Sequence, residues 1–307
     1  MLTRALAGVA LVLSFALSSR AARASACCGT GHGVGHWLAP SERAAASFAV
    51  RGSEQIGSWT WAREFAPSAA GSYHRELRTD VGWMVRVQEH VQLGVAVPLM
   101  MVWKGARDGA SSGGGAGDIT AAGRIDLLES GVSPWIPAAA LTLAVALPTG
   151  RPQGASSDRL GADVTGLGAA ELRPGIVLEK SWGSIQALLA ASAGFRTRFH
   201  LPTGESLQLA PRVQILAAAG PAWPSGVSLA VGGLYEVEPW PTRDGRDTPG
   251  ATRERTALLA VLACDITTRW TAIGNLQADV PISGIGREEI AFAALSAGVR
   301  YVWGRHD

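Results

Sequence analysis

The sequence predicts an all-β fold, a closed antiparallel transmembrane β-barrel of about twelve strands, and three observations carry that prediction. Segments of alternating apolar and polar residues recur along the chain, at the ~9–11 residues that a tilted strand needs to cross a bilayer. The connections between them alternate short and long, as in bacterial outer-membrane barrels with tight turns at one end and loops at the other. An N-terminal export signal is followed by no run of ~18 or more uninterrupted apolar residues, so the chain offers no membrane helix.

Residues 1–26 read as a secretory signal: Arg4 supplies the positive start, 6–17 the apolar core and Ala24-Ser25-Ala26 the cleavage site, so the mature chain begins at Cys27. Acylation of Cys27 is the alternative, weakened by Ala24 where a larger aliphatic residue is usual. A Gly-rich tail follows at 27–42. Its Cys27, Cys28, His32 and His36 could offer two thiolates and two imidazoles to zinc or copper. The spacing fits no standard zinc finger, and a mobile or plug-like tail is the competing reading. Cys27 and Cys28 are adjacent and Cys264 lies far away on an apolar strand face, so no disulfide framework is expected.

The barrel is expected over 43–303, with 304–307 as an extension beyond the last aromatic pair, Tyr301 and Trp303. The first strand reads as one long segment at 44–65, because splitting it at Gly52-Ser53 would make the strand number odd. Further strands are expected near 73–88, 91–104, 117–130, 134–149, 165–180, 183–198, 206–219, 225–240, 254–268, 271–284 and 288–303. Short connections fall near 89–90, 131–133, 181–182, 220–224 and 269–270, and mostly longer ones near 66–72, 105–116, 150–164, 199–205 and 241–253; the last, near 285–287, is short. The stretches ARDGASSGGGAG, RPQGASSDRLGADVTG and PTRDGRDTPGATRER read as polar loops at one mouth.

One hairpin shows the alternation well. Arg124 and Asp126 fall on one strand face and Ile125 and Leu127 on the other; in the next strand Leu141, Leu143, Val145 and Leu147 share a face. The hairpin is bracketed by Gly117-Asp118-Ile119 and Leu147-Pro148-Thr149-Gly150. In this order it resembles the family of outer-membrane transporters linked with meta-pathway phenol degradation. That resemblance implies a Gram-negative β-barrel with an undefined solute, and no functional residue is carried over.

If the aliphatic face meets lipid, the opposite face lines a lumen. Parity assigns to it Arg86, Arg124, Asp126, Glu171, Arg173, Arg212, Glu236, Asp265, Asp279 and Arg300, together with Gln88, Gln186, Arg196, Gln214, Glu238 and Gln277. Both signs are present, so a polar, charge-mixed interior is expected. A barrel of ~8 strands is filled by its side chains and one of ~16–18 strands holds an open channel. Twelve strands therefore admit either a narrow path for small polar or amphipathic solutes or a plugged structural barrel, metal-associated or not.

Composition agrees. Charged residues are 17%, below the ~25% typical of soluble domains, and Trp at 11 outnumbers Phe at 6 and Tyr at 3, as interfacial rings would. The net charge of +2 shows no basic excess for nucleic acid, leaving outer-membrane lipids and small solutes as the expected partners. An outer-membrane hydrolase is the rival from another class. His74 and His200 are its candidate bases, but neither sits in a G-x-S-x-G context, and no Walker loop or H-E-x-x-H motif is present. A soluble exported β-protein remains the competing architecture, since a β-sandwich strand is also half polar.

Overall fold

A computed structural model describes residues 36–107, 109–129, 135–200, 204–248 and 251–304. Cys27, Cys28 and His32, and the signal at 1–26, lie outside the described residues.

Because successive side chains of a strand point to opposite sides, a ladder of alternating segments sorts the chain into two surfaces. Twelve long strands do this: β1 (Ala44–Trp59), β2 (Tyr73–Gln88), β3 (Val91–Ala106), β4 (Ile119–Leu128), β5 (Ala138–Leu147), β6 (Glu171–Trp182), β7 (Ile185–Arg196), β8 (Arg212–Pro221), β9 (Val227–Glu238), β10 (Arg253–Asp265), β11 (Trp270–Asp279) and β12 (Ile290–Trp303). Each pairs antiparallel with its neighbour in sequence, and β12 returns to β1 with Ala44 opposite Trp303 and Ser58 opposite Ile290. Closure gives each of the twelve long strands a paired neighbour on both sides.

The outer surface is aliphatic. Leu93, Leu141, Ile176, Leu189, Ile215, Leu262 and Leu276 are exposed, and Leu258 and Leu295 reach 60% and 66%. A Leu left in water rather than buried forgoes roughly 1.5–3 kcal/mol, so a belt of this kind is stable against hydrocarbon. Aromatic rings rim the belt at the end carrying the tight turns: Trp83 stacks near Trp303 at 5.0 Å between centroids, and Tyr301 lies edge-on to Trp303 and Trp270. Among the described residues no helix is long and apolar enough to cross a membrane; the crossing elements are strands.

Three departures from the sequence reading concern the other end. The first strand stops at Trp59 instead of running to 65, and Phe65–Pro67 folds back to pair with Gly57, Ser58 and Trp59. The Gly-rich stretch expected as a loop is a strand, Gly109–Ala116, which pairs with positions 99–106 of β3 while β4 pairs with positions 91–96. The descending chain is thus one strand broken at Gly117-Asp118. Its glycines hid it, because a residue without a side chain contributes nothing to an alternation pattern. Finally, β6 and β8 start later than expected, and the chain before β8 joins a small four-stranded sheet of loop segments, Phe199–His200, Ser206–Gln208, Thr242–Arg243 and Arg246–Asp247.

Candidate functional site

The inner surface falls into three zones. At the turn end, Arg124 donates to Asp126 at 2.6 Å and to Glu179 at 2.8 Å, and Arg86 lies 3.6 Å from Asp126. Asp265 accepts from the Thr271 hydroxyl at 2.7 Å. Arg300 pairs with Glu42 at 2.6 Å, and that carboxylate lies in the segment preceding β1. This segment enters the barrel mouth. Leu38 packs with Ala45, Met84, Ala96 and Val302, while the fully buried Gln92 accepts from the Leu38 N–H at 2.7 Å and donates to its carbonyl. His36 and Trp37 continue from it to form part of a cavity lining above.

At the loop end, Glu171 is 1% exposed and is surrounded by three guanidinium groups: Arg173 beside it on β6, Arg196 at 2.7 Å and Arg212 at 3.4 Å. Arg196 also donates to Glu238 at 2.7 Å, and Arg212 reaches Glu236 at 3.4 Å. On the strand beside Glu236, Arg255 donates to Asp279 at 2.7 Å. These are charge-balanced networks. A buried carboxylate with its lone pairs taken up by several donors avoids the cost of an isolated ion.

The middle zone is different from the uniformly polar lumen expected. From β6 to β11 the inward positions carry Val177, Leu188, Leu216, Leu234, Leu259, Val261 and Ile273, with Ala190, Ala218, Ala230, Ala257 and Ala263 between them. The opposing inner wall carries Ser47, Asp80 and Thr142, and Ser192, Gln214, Asn275, Gln277 and Ser296 lie at the margins. Between them is a cavity of roughly 260 Å³, with Trp37 and His36 at its floor and Arg173 in its lining. The sequence held a signal for this zone: in 257–263, ALLAVLA, both faces are apolar, as when a strand meets an apolar environment on each side.

The ten inward candidates therefore divide. Arg86, Arg124, Asp126, Asp265 and Arg300 lie at the turn end, and Glu171, Arg173, Arg212, Glu236 and Asp279 at the loop end; Arg173 alone among them lines the cavity. Sequence reasoning passed over Glu42, Gln92, Glu179 and Arg255. Gln92 carried a readable signal, a single amide between Val91 and Leu93. Gln88 is exposed at the end of β2, because a bulge between Arg86 and Gln88 breaks the parity there.

The two motifs that bracket the β4–β5 hairpin form a clasp beside this lumen. Asp118 accepts from the Gly150 N–H at 2.9 Å and the Leu167 N–H at 2.8 Å, and the Thr149 hydroxyl donates to the Gly117 carbonyl at 2.8 Å. A Cβ on Gly150 would come within 2.7 Å of the Thr165 carbonyl oxygen, so the clasp needs glycine there. The loop it ties down leans on the inner side of the Gly109–Ala116 strand: Lys104 donates to the Gly161 carbonyl at 3.0 Å, and a Cβ on Gly113 would meet the Asp163 N–H at 2.8 Å. Hydrogen bonds from the Ser156 hydroxyl and the Ser157 N–H hold the Asp163 carboxyl well below the usual range, and bonds from the Ala162 N–H and the Ser111 hydroxyl lower that of Asp158.

Of the two histidines that the hydrolase reading names, His74 is the one with a described side chain. His74 lies edge-on to Phe292 at 5.2 Å, and the nearby Ser72 hydroxyl donates to the Ala69 carbonyl. The side chain of His200 lies outside the described residues.

No protein-family model and no curated protein matches the chain. Among solved structures, the COG4313 outer membrane channel from Pseudomonas putida F1 aligns with a TM-score of 0.71 at 14% identity, over 85% of this chain and 96% of that one. The β domain of the Bordetella autotransporter Brka aligns at 0.49 with 10% identity, over 85% and 100% of the two chains. The transport unit of the autotransporter AIDA-I from Escherichia coli aligns at 0.46 with 9% identity, over 84% and 90%. The first likeness shows the fold: a closed twelve-stranded antiparallel β-barrel.

Proposed function

We propose that the chain is exported by the signal at 1–26 and works in the outer membrane, with its tight turns toward the periplasm, as a channel for small amphipathic solutes. The observation that carries this reading is the cavity with one aliphatic and one polar wall. A dry void costs about 24 cal/mol per Å³, so roughly 260 Å³ would cost up to about 6 kcal/mol if closed and empty. Larger side chains, or the ion networks found at both ends, would have filled it. A chamber kept open in the middle of two braced rings suits a guest with an apolar body and a polar group. Its size limits that guest to a small one.

The membership suggested by Gly117-Asp118-Ile119 and Leu147-Pro148-Thr149-Gly150 supports a transporter, and it rests on that motif. A zinc or copper site at Cys27, Cys28, His32 and His36 would be an accessory of the N-terminal tail, and solute passage does not require it.

Flux into liposomes tests the channel. The refolded chain should admit phenylalanine, a zwitterion with an apolar ring, faster than arabinose, which offers the aliphatic wall nothing. Equal entry of both would refute the amphipathic preference, and flux no greater than in empty vesicles for either would refute the channel.

A further inference from the structure

The segment before β1 closes the floor of the chamber, and its attachments differ in kind from those of the wall. The twelve strands are joined by continuous backbone ladders. The segment from His36 to Glu42 is joined by wall side chains: Gln92 to both backbone groups of Leu38, Arg86 to the Leu38 and Ala39 carbonyls at 3.0 Å, and Arg300 to the Glu42 carboxylate. The first backbone bonds to the wall come at Arg43, whose N–H donates to the Trp303 carbonyl and whose carbonyl accepts from Arg86. Above that hinge the segment adds Leu38 to a small cluster and a turn closed by the Glu42 N–H on the Ala39 carbonyl. An attachment made by side chains, with no backbone ladder, can be released while the sheet stays intact.

Its departure would also leave the wall in good order. Gln92 keeps a second acceptor in Asp126 at 3.3 Å, and Arg86 keeps the same carboxylate at 3.6 Å. Arg300, with a buried Nε that has no acceptor among the described residues, would regain water. Leu38 uncovers Ala45, Met84 and Ala96, a cluster against which Trp37 and Ala122 of the chamber lining pack. Two arrangements, one with the segment docked and one without it, each with the barrel wall intact, are what a switch requires.

We propose that the segment from His36 to Glu42 is a displaceable periplasmic gate, latched by Gln92, Arg86 and Arg300, and that it must swing about Arg43 for the chamber to communicate with the periplasm. This rests on the channel reading. Trp37 and His36 line the cavity, so a guest in the chamber touches the gate itself.

Single-channel recording on the refolded full-length mature chain tests it, with two variants alongside. One lacks residues 27–41. The other carries Leu38→Cys and Ala96→Cys, with Cys27, Cys28 and Cys264 changed to Ser, and is locked by oxidation. Folding of each is checked by heat-modifiable gel migration. The wild-type chain should show brief openings, the truncated chain should stay open, and the locked chain should be silent until reduced. Gln92→Leu should raise the open probability about thirtyfold, the effect of losing two net hydrogen bonds to Leu38. A folded truncated chain that conducts like wild type, or a locked chain that conducts oxidised as it does reduced, overturns the gate and leaves the channel standing. A folded truncated chain with no conductance overturns the channel reading and the gate with it.

Discussion

Replacing Asp118 with alanine isolates the clasp from the wall. The carboxylate accepts two backbone N–H groups from the far side of a long loop, Gly150 at 2.9 Å and Leu167 at 2.8 Å. A hydrogen bond to a charged acceptor contributes about 1.5–3 kcal/mol net, and the Leu167 donor is exposed enough to be rehydrated when released. Together the two are therefore worth about 2–3 kcal/mol, or a ~30- to 150-fold rise in the opening equilibrium of the loop. Hydrogen exchange read by mass spectrometry in micelles should show protection across 150–167 falling by that factor, with β4 and β5 unchanged. Asp118→Asn keeps one acceptor oxygen and should lose about half the energy. The reasoning fails if the loop keeps its protection in the alanine variant, or if protection falls equally in β4 and β5; the second result would make Asp118 a brace of the wall.

Three other perturbations address the remaining zones. Glu171→Gln leaves Arg173, Arg196 and Arg212 around a neutral amide; breaking a buried pair costs about 3–5 kcal/mol, so the heat-induced gel shift should move to clearly lower temperature, and an unchanged midpoint would contradict the network's role. The folded-state carboxyls of Asp158 and Asp163 titrate below their unfolded values near ~3.9, so their contribution to the loop is present above that pH and is lost as pH falls through the lower folded values. Limited proteolysis of 151–166 should thus be the same from pH 8 to 5 and increase only in stronger acid; loosening already near pH 6 would count against it. Leu258→Lys and Leu259→Lys place one charge on either side of β10: the lipid-facing Lys should destabilise by about 2–4 kcal/mol near mid-membrane, while Leu259→Lys, facing the chamber, should be tolerated better and cut phenylalanine flux, and equal destabilisation would contradict the assignment of faces.

The fold was legible because alternation and turn spacing are properties of local sequence. Arg124 and Asp126 against Ile125 and Leu127 defines a two-sided wall without reference to any other strand, and the short turn between β6 and β7 needs only Gly183-Ser184. Two features were not legible for physical reasons. The strand Gly109–Ala116 exists because β3 supplies a ladder to pair with, and because its glycines let the clasped loop approach; neither cause appears in the stretch itself. The partner of each inward charge depends on strand register. Parity places Glu171 inside, but only the closed barrel brings Arg196 and Arg212 to it from β7 and β8.

The distribution of charge within the lumen follows from what each zone must exclude. In the middle zone the ion on the polar wall, Asp80, is paired within its own strand by Arg78 at 2.9 Å, while a network spread over several strands there would narrow the bore. Placed at the two ends, the networks rigidify the mouths, where turns and loops leave the wall least supported, and the middle is free to be apolar on β6 to β11. That arrangement gives β10 hydrocarbon on one side and the chamber on the other, which is why 257–263 lacks alternation. An apolar run in a barrel strand therefore marks the height and the side of the wall where the lumen itself is apolar, and in this chain it points to the aliphatic side of the chamber.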